Sequence, residues 1–205
     1  MRKIVISLVL LSFCFGLSGA LAQERIRFEP DYPKSSTFGL LAGFFFVQDE
    51  TFQEMYGKSV FFFGGEYTLR FPVKERHGVD VAVDLRQLKK SGRTSYTEEE
   101  AHVRLTSLSL SLRYSLEYDR FTFFVGPGFD YVMYKENYAE TFPIKSVDGS
   151  AAGYHITGGG YYNVLPSLAV KAYFKYCAAD TEPDGFRVNL GGTEWGLGLV
   201  YRFEF

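Results

Sequence analysis

The stretch Glu194–Phe205 reads E-W-G-L-G-L-V-Y-R-F-E-F. Trp195, Leu197, Leu199, Tyr201, Phe203 and Phe205 alternate with Glu194, Gly196, Gly198, Val200, Arg202 and Glu204. That is period-two alternation, which defines a strand with one large apolar face and one face of small or charged residues. The same alternation recurs along most of the chain. Beyond the first 22 residues no apolar run approaches the ~18 residues that a membrane helix requires. If this chain crosses a membrane, it must do so with strands.

Read in order, the alternation predicts eight strands: Thr37–Val47, Val60–Phe71, Gly78–Leu88, His102–Leu116, Phe121–Lys135, Ala151–Val164, Leu168–Ala179 and Val188–Phe205. The connections run long, short, long, short, long, short, long. Antiparallel barrels of the outer membrane have short turns on the periplasmic side and longer loops outside. Phe52, Met55 and Tyr56 in the first long loop are spaced for a helical turn. Pro127 lacks an N–H and falls inside the fifth strand, so a bulge or bend is expected there. The fold class is therefore all-β: an eight-stranded antiparallel up-and-down transmembrane β-barrel.

The chain begins with the pattern of a secretory signal. Arg2 and Lys3 precede the apolar Ile4–Leu17, and Ala20-Leu21-Ala22 is a small-x-small cleavage site. Residues 1–22 are read as signal peptide, 23–36 as a short periplasmic segment with Pro30 and Pro33, and 37–205 as the barrel. Phe13 before Cys14 does not suit a lipoprotein signal. Removing two cations shifts the formal net charge from -2 to about -4, which argues against a nucleic-acid partner. Cys177 is then the one cysteine left, so no intrachain disulfide holds the fold.

Alternation does not say which face points inward. Volume does. Eight strands with about five apolar residues each carry roughly forty large side chains, and an eight-stranded interior has room for only a modest filling. The opposite face carries Gly39, Gly43, Gly64, Gly126, Gly128, Gly159, Gly196, Gly198, Ala82 and the serines between His102 and Leu116. The large apolar face must therefore point outward, and so large a patch needs lipid. Phe71, Phe121, Tyr162 and Phe203 would form a periplasmic aromatic girdle. Phe46, Phe61, Tyr131, Tyr176 and Trp195 would form the outer one.

The same parity sends Glu66, Arg70, Asp80, Asp84, Arg86, Arg113, Asp130, Lys171, Lys175, Glu194 and Arg202 into the lumen. Unpaired charges there would be costly. Five acids and six bases suggest mutual pairing and a polar, sealed lumen. A narrow porin-like channel for small or hydrophobic solutes is the alternative. His77 and His102 read as solvated, and Cys177 as a small filler. Lys89, Lys90 and Arg93 lie where they could meet lipopolysaccharide phosphates. Phe52, Met55 and Tyr56 read equally as a partner-binding patch or a cap over the barrel mouth.

The run T-S-L-S-L-S-L-R-Y-S-L-E-Y-D-R-F-T-F-F-V-G-P-G-F-D-Y from Thr106 to Tyr131, with the final Tyr-Arg-Phe-Glu-Phe, resembles the small outer-membrane β-barrel domain family. That family includes OmpX-like, OmpW-like and OmpA-transmembrane-like barrels. The resemblance implies an outer-membrane protein, and its motifs specify architecture rather than function. The residues themselves show no phosphate loop, no metal-ligand spacing and no paired carboxylates with catalytic spacing, so no cofactor, no metal and no enzymatic activity are expected, and a structural or interaction role through the outer loops is. The resemblance also implies outer-membrane lipids and lipopolysaccharide as partners. Tyr201, Phe203 and Phe205 would be the signal read by the barrel-assembly machinery, and a monomer is expected. No peptidoglycan-binding domain is seen after the barrel, so tethering in the OmpA manner is not implied. Lipid A deacylases are also eight-stranded barrels and use a His and a Ser two residues apart. His155 and Thr157 depart from that pattern, since Thr replaces Ser and both fall in the lumen. A lipid A-modifying enzyme is accordingly the third reading.

Overall fold

The computed structural model describes residues 35–94, 99–138, 146–181 and 188–204. The elements are β1 (Ser35–Val47), α1 (Glu50–Tyr56), β2 (Ser59–Lys74), β3 (His77–Arg93), β4 (Glu100–Tyr118), β5 (Phe121–Tyr138), β6 (Ser146–Leu165), β7 (Leu168–Thr181), β8 (Val188–Asn189) and β9 (Gly192–Glu204). The proposed signal peptide, most of the N-terminal segment and Phe205 lie outside the described residues. Among the described residues no helix is long and apolar enough to cross a membrane.

Eight strands close into a ring in which each long strand pairs antiparallel with its neighbours. The order is β6-β5-β4-β3-β2-β1-β9-β7, and β7 returns to β6. Closure leaves no open edge, which is the requirement for a sheet in lipid, where no water can satisfy an unpaired backbone group. The short connections are tight. At the β4–β5 turn Asp119 takes a positive φ of 53°, a conformation that Asp tolerates better than most residues.

The sidedness follows the volume argument. Leu40, Leu197 and Trp195 are 62%, 63% and 60% exposed on the outer face, while Lys171 and Lys175 are 1% and 2% exposed. This is the reverse of a water-soluble protein, and only a lipid surround makes it stable. The residues expected in the two aromatic girdles stand on the outward parity, and Phe61, Trp195, Phe121 and Phe203 are among the exposed large side chains.

Three features differ from the sequence reading. First, the strands are longer: β3 runs to Arg93, β4 starts at Glu100, β5 reaches Tyr138 and β6 starts at Ser146. Their outer ends carry polar side chains on the outward face, which looks like loop in sequence, yet the hydrogen-bonded ladder continues past the apolar belt. Second, no bulge forms at Pro127. The β4–β5 ladder omits Gly126 and Pro127 but resumes in the same register, from Ser111↔Gly128 to Tyr114↔Val125. Pro127 still pairs with Ile156 on its other side, so the missing donor removes a bond without adding a residue. Third, the last strand is split. Gly191 N donates to Asn189 Oδ1 at 2.8 Å, and this local turn separates β8, which pairs with β7, from β9.

The lumen also differs in its outer half. Phe45, Val60, Phe62, Leu88, Leu105 and Val132 are buried there in one apolar cluster, so the interior is a polar layer beneath an apolar one.

Candidate functional site: the filled lumen

The glycines and serines of the inner face make space for long charged side chains from opposite walls. Parity predicts their inward aim, and the structure joins them into compact groups. Glu66 on β2 accepts from Lys171 Nζ at 2.6 and 2.7 Å and from Arg113 Nη2 at 2.7 Å. The cations come from β7 and β4, so this group spans the barrel. Phe124 lies 4.9 Å from both the Arg113 guanidinium and the Lys171 ammonium, adding a cation–π face to each.

A second group surrounds Asp130. Lys175 Nζ donates to its Oδ1 at 2.6 Å and to Ser109 Oγ at 2.8 Å, and Ser109 Oγ also donates to Asp130. His155 Nδ1 stands 3.0 Å from Asp130 Oδ2, and its Nε2 is hydrogen-bonded to Ser111 Oγ at 2.9 Å. Gly128 makes room for that ring: a Cβ there would lie 2.4 Å from His155 Cε1 and Nε2. In a third group Arg86 joins Asp84 and Glu194, and Tyr173 donates to Glu194 at 2.5 Å.

At the periplasmic rim Arg70 pairs with Glu117 and lies 4.0 Å from Asp80. Ser115 Oγ donates to Asp80 at 2.8 Å. Arg202 reaches Asn163 Oδ1 at 3.3 Å. All eleven lumen charges therefore have a partner. Arg70 and Arg202 keep more exposure than the rest, with side chains 12% and 21% accessible.

Small cavities remain between the described residues. One, of about 20 Å³, is lined by Thr68, Arg70, Asp80, Tyr161 and Ala169 among others. Another, of about 30 Å³, touches Arg86, Leu88, Leu105, Asp130 and Lys175. Each holds about one or two waters. Lys171 lies on β7 between Ala169 and Lys175, so the Glu66 group separates the two.

α1 sits on the apolar outer layer. Phe52 and Met55 pack against the core cluster, and Tyr56 is 4% exposed. Of the two readings of these residues, the packing matches a cap. Tyr56 donates to Glu136; burial and that contact push its phenol well above the usual range. Asp49 holds the helix by accepting from Phe52 N at 2.9 Å and Asn189 N at 3.2 Å. Replacing Asp49 by Ala removes an N-cap worth about 1 kcal/mol. The expected result is faster hydrogen exchange across residues 50–56 with the strand amides unchanged, and unaltered exchange in α1 would contradict its role as anchor.

The sequence reading missed Ser111 as the partner of His155. Thr157 Oγ1 instead donates to the Phe174 carbonyl at 3.2 Å. Cys177 is buried as expected, with its Sγ 3.6 Å from the Gly192 carbonyl, and His102 is exposed beside Ser91 at 2.9 Å; His77, expected to be solvated, is instead half-buried and hydrogen-bonded to the Tyr114 hydroxyl. Among the described residues no group of three metal-ligating side chains could hold an ion.

A closed antiparallel ring with lipid-compatible outer walls and a polar filling defines an integral β-barrel of the bacterial outer membrane. The chain belongs to the outer membrane protein β-barrel domain family, whose model matches residues 8–203. No curated protein sequence matches it. Among solved structures it is similar to Neisserial surface protein A, at 14% identity and a TM-score of 0.59, covering 82% of this chain and 97% of that one. It is likewise similar to Ail, the attachment invasion locus protein of Yersinia pestis, at 15% identity and a TM-score of 0.54, covering 83% and 99%. At these identities the likeness is one of fold.

Proposed function

We propose that this protein is a non-conducting outer-membrane barrel whose role is structural or interactive and lies on its outer surface. The Glu66–Lys171–Arg113 group carries the reading: it crosses the lumen from β2 to β4 and β7 between two cavities of about 20 and 30 Å³. A hydrated ion would have to break that group to pass, leaving buried charges unpaired. The apolar layer and α1 add a second barrier outside it. Outer-membrane lipids and lipopolysaccharide are the expected partners, the barrel-assembly machinery acts at insertion through Tyr201, Phe203 and Phe205, and the barrel works as a monomer. On this reading the protein performs no catalysis. Ser111, His155 and Asp130 are 1%, 4% and 1% exposed, and a nucleophile needs access to its substrate.

Single-channel recording of the refolded protein in a planar bilayer tests the seal. With folding confirmed by heat-modifiable gel mobility, a silent trace is expected. Stable discrete steps would instead make it a narrow channel, with Lys171, Lys175 and Asp84 as its selectivity residues.

A further inference from the structure

The outward face changes chemistry just above the apolar belt. On β3, β4 and β5 the last large apolar outward residues are Leu85, Leu108 and Met133. Beyond them stand Lys89, Arg104 and Lys135, all exposed. These cations lie directly opposite one another in the ladder, Lys89 to Arg104 and Arg104 to Lys135. Directly opposed side chains start about 5 Å apart at Cβ, and like charges so placed destabilise a sheet. None of the three makes an ion pair or hydrogen bond with a described residue. Asp148 stands opposite Lys135 at one end of the row.

We propose that Lys89, Arg104 and Lys135 form a docking row for the phosphate groups of an outer-leaflet glycolipid. Three mutually repelling cations in adjacent positions are relieved by an anion that bridges them. Arg104, in the middle, offers a planar fork to phosphate oxygens, with a lysine point charge on either side. Strands in a barrel tilt, so the row runs obliquely to the membrane plane and spans a range of headgroup depth. The apolar residues beneath it decide for a lipid over a soluble polyanion: acyl chains would lie on Leu85, Leu108 and Met133 while phosphates meet the cations. This inference rests on the outer surface being the interaction face, and it does not depend on whether the lumen conducts.

The test is native mass spectrometry of the folded protein in detergent micelles, with bisphosphorylated lipid A, its dephosphorylated form and inorganic polyphosphate as probes. The wild type is expected to retain bisphosphorylated lipid A about tenfold better than the variant carrying Lys89→Ser, Arg104→Ser and Lys135→Ser, as three exposed charge contacts of modest strength would give. Arg104→Ser alone should give an intermediate loss and keeps the test alive if the triple variant does not fold. Lys58→Ser, an exposed cation outside the row, should change nothing. Equal retention by wild type and variants would overturn the proposal, as would equal retention of the dephosphorylated lipid. Preferential binding of polyphosphate through the same three residues would replace the lipid with a soluble polyanion. Failure on any of these arms leaves the conductance result untouched.

Discussion

Replacing Glu66 by Ala is expected to cost 3–5 kcal/mol of barrel stability, on the order found when one partner of a buried ion pair is deleted. Glu66 is 3% exposed. Its carboxylate is the shared acceptor of Lys171 and Arg113, so its loss leaves two cations facing each other inside the barrel. Tyr161, whose hydroxyl lies 3.4 Å from Glu66 Oε1, cannot supply the missing charge. Trp195 is the one tryptophan of the chain and is 60% exposed on the lipid face, so its fluorescence reports insertion directly. Urea unfolding in lipid vesicles, followed at Trp195, is the measurement. A loss below about 1 kcal/mol, the scale of an exposed pair, would mean that water already screens this group and that the lumen is not sealed. Glu66→Gln with Lys171→Met leaves Arg113 as the one cation without its carboxylate, where Glu66→Ala leaves two. It should therefore fall closer to wild type than Glu66→Ala, though still below it.

The lumen charges were legible because parity in a barrel is binary. Once the large apolar face is placed outward, Glu66, Asp84, Lys171 and the rest have no other direction to point. Which charge meets which was not legible. That choice depends on register and stagger around the ring, and nothing near Glu66 in sequence names Lys171, on β7, as its partner. The link between Ser111 and His155 was hidden for the same reason. His155 and Thr157 are neighbours on one face of β6, but the ring closes His155 against β4 instead. Strand ends were misread for a different cause. Lys89, Glu100 and Asn137 lie above the hydrocarbon layer, where outward positions must suit headgroups and water, so hydropathy stops marking the strand although pairing continues. The apolar outer layer escaped notice because Phe45, Phe62, Leu88, Leu105 and Val132 share the inward parity with the glycines, serines and charges on which the volume argument rested.

Asp130→Ala should be as damaging as the loss of Glu66, at about 3–5 kcal/mol, and the contrast with Ser111→Ala separates a structural staple from a catalytic relay. Asp130 is 1% exposed and faces Lys175 at 2.6 Å and His155 at 3.0 Å. Without it Lys175 keeps only Ser109 as a partner, which brings no charge. Ser111 makes one hydrogen bond, to His155, so Ser111→Ala should cost about 1 kcal/mol. A Ser–His–Asp order invites comparison with hydrolytic triads, but roles follow geometry and access rather than residue types. Here the serine points into a filled interior, Lys175 already holds the acid, and the acyl chains of any lipid lie on the other side of the wall. Two readouts then decide. Unfolding in vesicles should rank Asp130→Ala far below Ser111→Ala. Mass spectra of lipid A from cells expressing wild type or Ser111→Ala should be identical. A change in acylation that tracks Ser111 would make this group an active site, and would require the barrel wall to open between β4 and β6 to admit the chain.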